Sequence, residues 1–462
     1  MSKQRTGLVR RNFLRGALAS AVVLPIGAAL AACTVSASGS TAPSAFGATG
    51  TAAALKRPRG ALFDSAFHDR FGQWPLGYIS SGGPEMGDII AVADVVGAGD
   101  DSAFYDAWIA SGDTYNADAE AALAAGHRVS ARALFLRASC LYAAAYHPLF
   151  GTPVDPRLLA AFDKQMTAFQ RAMELSAVPV HPIEIPYEDT KLPAYLIPAI
   201  GHETEVRPLL ILNNGYDATI TDMYFASGVA ALRRGYHILM FDGPGQGAML
   251  YKQGLPLRPD WEVVVSAVVD YAEKVSIVDP KKIALSGWSL GGYLAPRAAT
   301  AERRLAACVA DPGQWDIGEA FQGFALKLGA SKEAVADLDK LDEKTIDAMW
   351  SAIQEDRELY WSIVQRGFWA NDVSDLRAFI HRSMQFTLKD KVTEIRCPTL
   401  LTSAENDPLA DATKAFYDAL TCPKKLLAFT AAEGAGEHTE MNNRSLVNQR
   451  VLDWLDETLE MR

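Results

Sequence analysis

The stretch Lys282-Ile-Ala-Leu-Ser-Gly-Trp-Ser-Leu-Gly-Gly-Tyr293 constrains the fold more than any other. A short apolar run from Ile283 to Leu285 reads as a strand that ends in Gly287-Trp288-Ser289-Leu290-Gly291. Small residues, Gly292 and Ala295 among them, follow as at a helix start. A chain that reverses from strand to helix this sharply has no room for a Cβ two positions either side of the bend, so glycine belongs there. The serine at the tip sits on a strained turn with its Oγ lifted into the open, the G-x-S-x-G elbow. The helix N-terminus behind it favours negative charge developing at that point.

The flanking chain has the rhythm such an elbow needs. Val180 to Ile185 and Pro193 to Ile197 read as a hairpin around the acidic turn Glu188-Asp189. Short apolar runs then recur at Pro208–Leu212, His237–Phe241, Lys282–Leu285, Ala306–Ala310, Thr399–Leu401 and Lys425–Phe429, with amphipathic helical segments between them, for example 261–275 and 410–420. Continuous apolar strands separated by helices imply a mostly parallel sheet covered on both faces. Sites in such sheets lie at the C-terminal strand ends.

Two regions stand outside this alternation. Ala103 to about Leu175 reads as helices, with Gly126 breaking one from the next. Leu134, Ala138, Leu141 and Ala145 keep one apolar face, and Asp155-Pro156 caps a helix with the stripe Leu159, Phe162, Met166, Phe169 and Met173. The interval between Ala310 and Thr399 is too long for a crossover and rich in aromatics (Trp315, Phe321, Phe324, Trp350, Trp361, Trp369), so we expect a helical lid over the strand ends, with Asp337-Leu-Asp-Lys-Leu-Asp342 on its solvated side. The expected organisation is an export signal over 1–33, a tether over 34–55, a helical N-terminal domain over 56–177, a sheet core over 178–313, the lid over 314–392 and the rest of the core over 393–462. Residues 60–99 carry no clear pattern.

A serine hydroxyl needs a base to take its proton and a carboxylate to hold that base in the right tautomer. In an elbow fold the chain order is serine, acid, histidine, each at a strand end. Two histidines follow Ser289. His381 falls in the expected lid, and His438 falls in Glu433-Gly-Ala-Gly-Glu-His-Thr-Glu440, directly after the last strand. His438 is therefore the candidate base. Of the two acids in Glu405-Asn406-Asp407-Pro408, Asp407 stands at the loop tip, and Glu405 is a supporting or solvent-facing carboxylate. An oxyanion needs two N–H donors in place beforehand: the Leu290 amide, and one from Asn213-Asn214-Gly215-Tyr216-Asp217, where Tyr216 is the choice. The same loop can also be a strand-to-helix turn capped by Asp217. Phe241-Asp-Gly-Pro-Gly-Gln-Gly247 lacks dinucleotide-binding spacing, and no His/Cys/Asp cluster has metal-ligand spacing, so neither a cofactor nor a metal is expected.

Asn214-Gly-Tyr-Asp217, Asp242-Gly-Pro-Gly-Gln-Gly247, Gly287-Trp-Ser-Leu-Gly-Gly292, Ala404-Glu-Asn-Asp407 and Glu433 to His438 together resemble the α/β-hydrolase superfamily. Within it the chain resembles the branch of the fermentation/respiration switch esterase and 2,6-dihydroxypseudooxynicotine hydrolase, whose members carry a helical N-terminal domain. The resemblance implies Ser289, Asp407 and His438 as nucleophile, acid and base. The branch holds ester hydrolases and also C–C hydrolases of aryl ketones or polyketides. In the latter a further downstream acid assists, and Asp316 or Glu319 lies in about that region. The resemblance therefore implies a serine hydrolase, an ester hydrolase first and a C–C hydrolase as the alternative. A serine peptidase ranks below both, because no propeller-like N-terminal repeat accompanies the core. Last comes a non-catalytic binding lipoprotein. The aromatic lid points to a bulky, apolar small-molecule substrate, with Tyr142, Tyr146, Tyr216, Trp288 and Trp315 as candidate wall residues.

The first 33 residues carry five basic residues and no acid, followed by an apolar run from Ala17 to Ala32. Val9-Arg10-Arg11-Asn12-Phe13-Leu14-Arg15 resembles a twin-arginine export motif. Leu30-Ala31-Ala32-Cys33 resembles a lipobox with Cys33 as the lipidated residue, the alternative being ordinary cleavage. These motifs imply an exported, periplasmic or cell-envelope lipoprotein that meets the membrane only through its anchor. The remaining body is more acidic than the −11 of the whole chain, which argues against nucleic-acid partners. Cys140, Cys308, Cys397 and Cys422 sit in or beside apolar runs without C-x-x-C spacing, so thiols rather than a disulfide framework are expected. A homodimer stays open.

Overall fold

The computed structural model describes residues 62–461. The export motif, Cys33 and the tether over 34–55 lie outside the described residues. Among those described, no helix is long and apolar enough to cross a membrane.

Eight strands form one sheet: β1 (Ile183–Tyr187), β2 (Thr190–Ile197), β3 (Arg207–Asn213), β4 (His237–Phe241), β5 (Val278–Trp288), β6 (Leu305–Asp311), β7 (Thr399–Ala404) and β8 (Lys424–Phe429). Their spatial order is β1-β2-β4-β3-β5-β6-β7-β8. β1 and β2 form the expected hairpin, β2 runs antiparallel to β4, and every pair from β4 to β8 is parallel. This is the α/β-hydrolase architecture that the resemblance implies.

The period-two alternation of a strand shows which helices cover which face. Leu210, Leu212, Ile238 and Met240 turn to one side, where Val447, Val451 and Leu455 of the C-terminal helix Arg444–Thr458 join the same core. Leu209, Ile211, Leu239 and Phe241 turn to the other, under Glu262–Ala272 and Gly291–Ala299. β5 begins at Val278, four residues before the apolar signal at Lys282. Only Val278 of its first four residues is buried, so the polar start has no apolar signature.

The N-terminal region packs the helices Met86–Val96, Asp101–Ala124, Arg128–Ala145 and Pro156–Glu174. Gly126, at φ +83°, separates the second from the third, and Asp155 caps the fourth by accepting from the Arg157 amide at 2.8 Å. The buried face of that last helix is rotated from the expected stripe. Leu158, Ala161, Phe162, Gln165, Phe169 and Met173 are buried, while Leu159 and Met166 lie at its border. A polar residue at its centre displaced the pattern. Gln165 accepts from Tyr146 Oη at 2.7 Å and donates to the hydroxyls of Thr219 and Thr221 at 2.8 and 2.6 Å, tying the helical region to the chain after β3. Buried polar groups are tolerated when satisfied in this way.

The described part of the stretch without clear pattern, residues 62–99, holds the helix Ala66–Gly72, the 3₁₀ turn Trp74–Ser81 and the helix Met86–Val96. Between β6 and β7 the helices Glu319–Lys327, Glu343–Glu355 and Leu376–Met384 surround a core of Phe321, Met349, Ile353, Phe368 and Phe379. The helix over 357–371 widens into π geometry from Tyr360 to Phe368, a local distortion common at functional sites. Among the described residues the four cysteines are unpaired thiols.

Candidate active site

Ser289 has φ +59°, a left-handed conformation that non-glycine residues adopt only when the surroundings impose it. The surroundings here are specific. Its amide donates to the Asp311 carbonyl at 2.7 Å, and its carbonyl accepts from the Gly292 amide and from Gln314 Nε2 at 2.8 and 2.7 Å. A Cβ on Gly287 would run into the Gly291 carbonyl, and one on Gly291 would come within 2.8 Å of the Asn213 carbonyl. The elbow therefore packs too closely on both its helix and β3 for any larger residue.

Ser289 Oγ lies 2.9 Å from His438 Nε2, and His438 Nδ1 lies 2.8 Å from Asp407 Oδ2. Asp407 caps the turn Pro408–Ala410 through the Leu409 amide at 2.9 Å. Burial would raise its carboxyl, but the charge and hydrogen bond of His438 outweigh it and hold Asp407 below the ordinary carboxylate value. Burial would lower His438, yet the same partner raises it above the ordinary imidazole value. Glu405 is exposed and accepts from the Ala431 amide at 2.8 Å. His381 pairs with exposed Asp339, 3.0 Å away in the helical segment, and takes no part in this cluster.

The His438 loop is held by a buried ionic cluster that the sequence did not signal. Thr439 and Glu440 both have positive φ. Arg444 Nη1 donates to the Thr439 carbonyl at 2.6 Å and to Asp311 Oδ2 at 2.9 Å, and it lies 3.9 Å from Glu440 Oε2. Two buried carboxyls share one guanidinium. Burial first, and Asp311 second, push the Glu440 carboxyl well above its usual range, which favours the uncharged form. Because the Asp311 carbonyl also accepts from the Ser289 amide, Arg444 links the nucleophile turn to the histidine loop.

The amides of Tyr216 and Leu290 have no acceptor among the described residues. Gly215 brings their two loops together. A Cβ there would stand 2.5 Å from the Trp288 carbonyl, 2.7 Å from Ser289 Cβ and 3.1 Å from the Leu290 nitrogen. The glycine-rich loop supports this approach from below. Gln246 Nε2 donates to the Asn214 and Gly215 carbonyls, both at 2.9 Å, and Asn214 Nδ2 donates to Asp242 at 2.8 Å. Burial raises Asp242 to about 7, against the amides and Asn214 that hydrogen-bond it. One expectation is corrected here. Asp217 is not a helix cap: Thr219 and Asp222 form the capping box of the helix Ile220–Met223, and Asp217 instead accepts from Arg366 at 3.2 Å.

Ser289, His438 and Asp407 open on a cavity of about 1730 Å³. Of the five aromatic residues considered as walls, Tyr216, Trp288 and Trp315 line it. Tyr142 and Tyr146 do not, their hydroxyls donating to Asp113 and Gln165. The patternless N-terminal stretch contributes Arg70 and Trp74, with Trp74 6.2 Å from Trp288. Asp316 and Glu319 also reach the cavity, and both pair with Lys389. Among the described residues no three His, Cys, Asp or Glu side chains group as metal ligands would.

A family model described as the alpha/beta hydrolase family matches residues 210–445, a span that includes all three residues of the Ser289–His438–Asp407 chain. The chain belongs to the α/β-hydrolase family. This α/β-hydrolase also matches the model described as esterase FrsA-like over 91–314, which takes in the helices Asp101–Ala124, Arg128–Ala145 and Pro156–Glu174. It is 32% identical over 410 residues to hydrolase acrC of Aspergillus aculeatus, covering 83% of this chain and 94% of that one. It is 32% identical over 406 residues to 20-hydroxy-prefusarin hydrolase FUS2 of Gibberella moniliformis, covering 84% and 95%. The structure of 2,6-dihydroxy-pseudo-oxynicotine hydrolase matches with a TM-score of 0.65 at 23% identity, over 83% of this chain and 95% of that one, a likeness of fold. The family and these relatives make the protein a hydrolytic enzyme.

Proposed function

We propose that this α/β-hydrolase cleaves carboxylic esters of bulky, largely apolar substrates through an acyl-Ser289 intermediate. The reading rests on one observation above the others: Ser289 Oγ, His438 and Asp407 form a continuous hydrogen-bonded chain at the cavity floor. His438 Nε2 takes the Ser289 proton as Oγ attacks the ester carbonyl, and Asp407 stabilises the imidazolium that results. The carbonyl oxygen becomes an oxyanion, received by the Leu290 and Tyr216 amides. Collapse expels the alcohol, which takes the proton back from His438. Water then repeats the sequence on the acyl-enzyme.

The FrsA-like esterase match supports an ester as the bond attacked. The cavity of about 1730 Å³ exceeds the roughly 300–1,000 Å³ common for drug-sized ligands, in keeping with a large substrate. Asp316 and Glu319, either of which the resemblance would offer as the further acid for C–C cleavage, are both ion-paired to Lys389. The protein should therefore hydrolyse p-nitrophenyl esters, leave β-diketones and acylphenols intact at carbon, and be labelled at Ser289 by a fluorophosphonate. Carbon–carbon cleavage without ester hydrolysis, or a fluorophosphonate label elsewhere, would overturn the proposal.

The oxyanion assignment makes a separate prediction. In Gly215→Ala the new methyl meets backbone on β5 and the nucleophile itself, so the Tyr216 amide must retreat. A displacement near 1 Å at such a site costs about 100-fold in rate. Steady-state assay should show that loss in kcat while KM stays close to the parent value.

A further inference from the structure

Arg366 lies on the helix over 357–371, fully buried above the strand ends. Its Nε donates to Asp217 at 3.2 Å and its Nη2 to the Gly245 carbonyl at 3.1 Å. The guanidinium carbon lies 4.2 Å from the centre of the Tyr216 ring, 5.2 Å from that of Phe150 and 5.7 Å from that of Trp369. Its Nη1 has no acceptor among the described residues. Five residues on, Asn371 Nδ2 donates to Tyr216 Oη at 3.2 Å. The segment above the site thus holds Tyr216 at its ring, at its hydroxyl, and through the next residue.

As a stabilising device this is a poor use of a cation. Stripping a guanidinium of water is costly, and one carboxylate, one carbonyl and the neighbouring ring faces return only part of that when another nitrogen is left unpaired. As a positioning device it is well made, because the planar fork fixes two acceptors and a ring face in one geometry. Gly215 is fixed from below by Gln246, and Asp217 and Tyr216 are fixed from above by Arg366 and Asn371. The Tyr216 amide sits between those two anchors.

We infer that Arg366 is a positioning residue for the oxyanion hole: it couples the helical segment over the cavity to the Tyr216 amide, so that the cover and the anion site form one unit. The inference rests on the serine-hydrolase reading and adds to it what sets the second donor. It assigns the segment between β6 and β7 a part in the chemical step besides enclosing substrate.

The test compares Arg366→Met, Arg366→Lys and Asn371→Ala with the parent on a p-nitrophenyl ester, with active sites counted by fluorophosphonate burst. Arg366→Met should lose about 100-fold in kcat with KM nearly unchanged, since only the transition-state oxyanion feels the displaced donor. Arg366→Lys keeps the charge toward Asp217 without the planar fork that also reaches the Gly245 carbonyl, and should fall between it and the parent. Asn371→Ala should give a smaller loss of the same kind. Affinity for an alkyl boronic acid, whose adduct on Ser289 places a negative tetrahedral oxygen in the hole, should fall in parallel with kcat/KM. Unchanged kcat per counted site, or a loss confined to KM, in Arg366→Lys and Asn371→Ala would overturn the inference, even if Arg366→Met failed to fold. Ser289→Ala run beside them separates the two readings: if it keeps its turnover, the serine mechanism itself has failed. If it loses turnover while the Arg366 and Asn371 variants do not, only the coupling has.

Discussion

Ser289→Ala should lower kcat by about a million-fold and leave the fold intact. Both halves follow from the geometry. Alanine has the same Cβ as serine, so the position at φ +59° is no more strained than before, and the amide and carbonyl bonds to Asp311, Gly292 and Gln314 are untouched. What disappears is the oxygen 2.9 Å from His438 Nε2. Without it no acyl-enzyme forms, and the remaining rate comes from substrate binding and the oxyanion donors, about 10³–10⁴ above uncatalysed hydrolysis in comparable serine enzymes. The measurement is kcat on a p-nitrophenyl ester together with a thermal melt. A melting temperature close to the parent's is expected, since one oxygen is removed and no backbone bond changes. Turnover near the parent value would dispose of the mechanism, whereas a collapsed melt would show that the Ser289 hydroxyl also supports the elbow.

Sequence and structure agree where a local pattern carries the information. β4 is buried along its whole length and appears in the sequence as the apolar run Ile238–Phe241 after His237. The elbow glycines are readable because their close approaches lie within a few residues or at the end of β3. The order serine, acid, histidine places His438 and Asp407 without contact information. What was not legible depends on residues far apart in the chain. Gln165 breaks an apolar stripe because its partners are Thr219 and Thr221, some fifty residues on. Arg444 looks like an ordinary helix-start residue until Asp311 and the Thr439 carbonyl are brought to it. Arg366 sits in a segment whose aromatic content marks a cover but whose register is masked by the π distortion from Tyr360 to Phe368. Polar residues that bind across the fold leave no periodic trace, and here they are the ones that hold the reacting groups in place.

The second large effect is expected from Asp407→Asn, about 10⁴-fold in kcat. The aspartate makes His438 carry its proton on Nδ1, leaving Nε2 free to accept from Ser289. An asparagine can turn its NH₂ toward Nδ1, which moves the imidazole proton to Nε2, where it faces the serine and blocks acceptance. The pH profile distinguishes this from general damage. In the parent, Asp407 raises His438 above the ordinary imidazole value of 6.5 against the opposing pull of burial. The base works only when unprotonated, so the acid limb of kcat/KM should lie above that value. Removing the carboxylate leaves burial dominant, and the limb of the Asp407→Asn enzyme should move to lower pH while its plateau falls. Stability supplies an independent check. Asp407 is depressed in the folded state, so its contribution is present above the unfolded carboxylate value of 3.8 and is lost as pH falls through the folded one. His438 is raised, so its contribution is full below 6.5 and is lost as pH rises through its folded value. The melting difference between parent and variant should therefore be greatest between those two pH values and shrink on either side. An acid limb that stays in place, or a stability gap that does not shrink below and above that window, would show that Asp407 is not the partner that sets the state of His438.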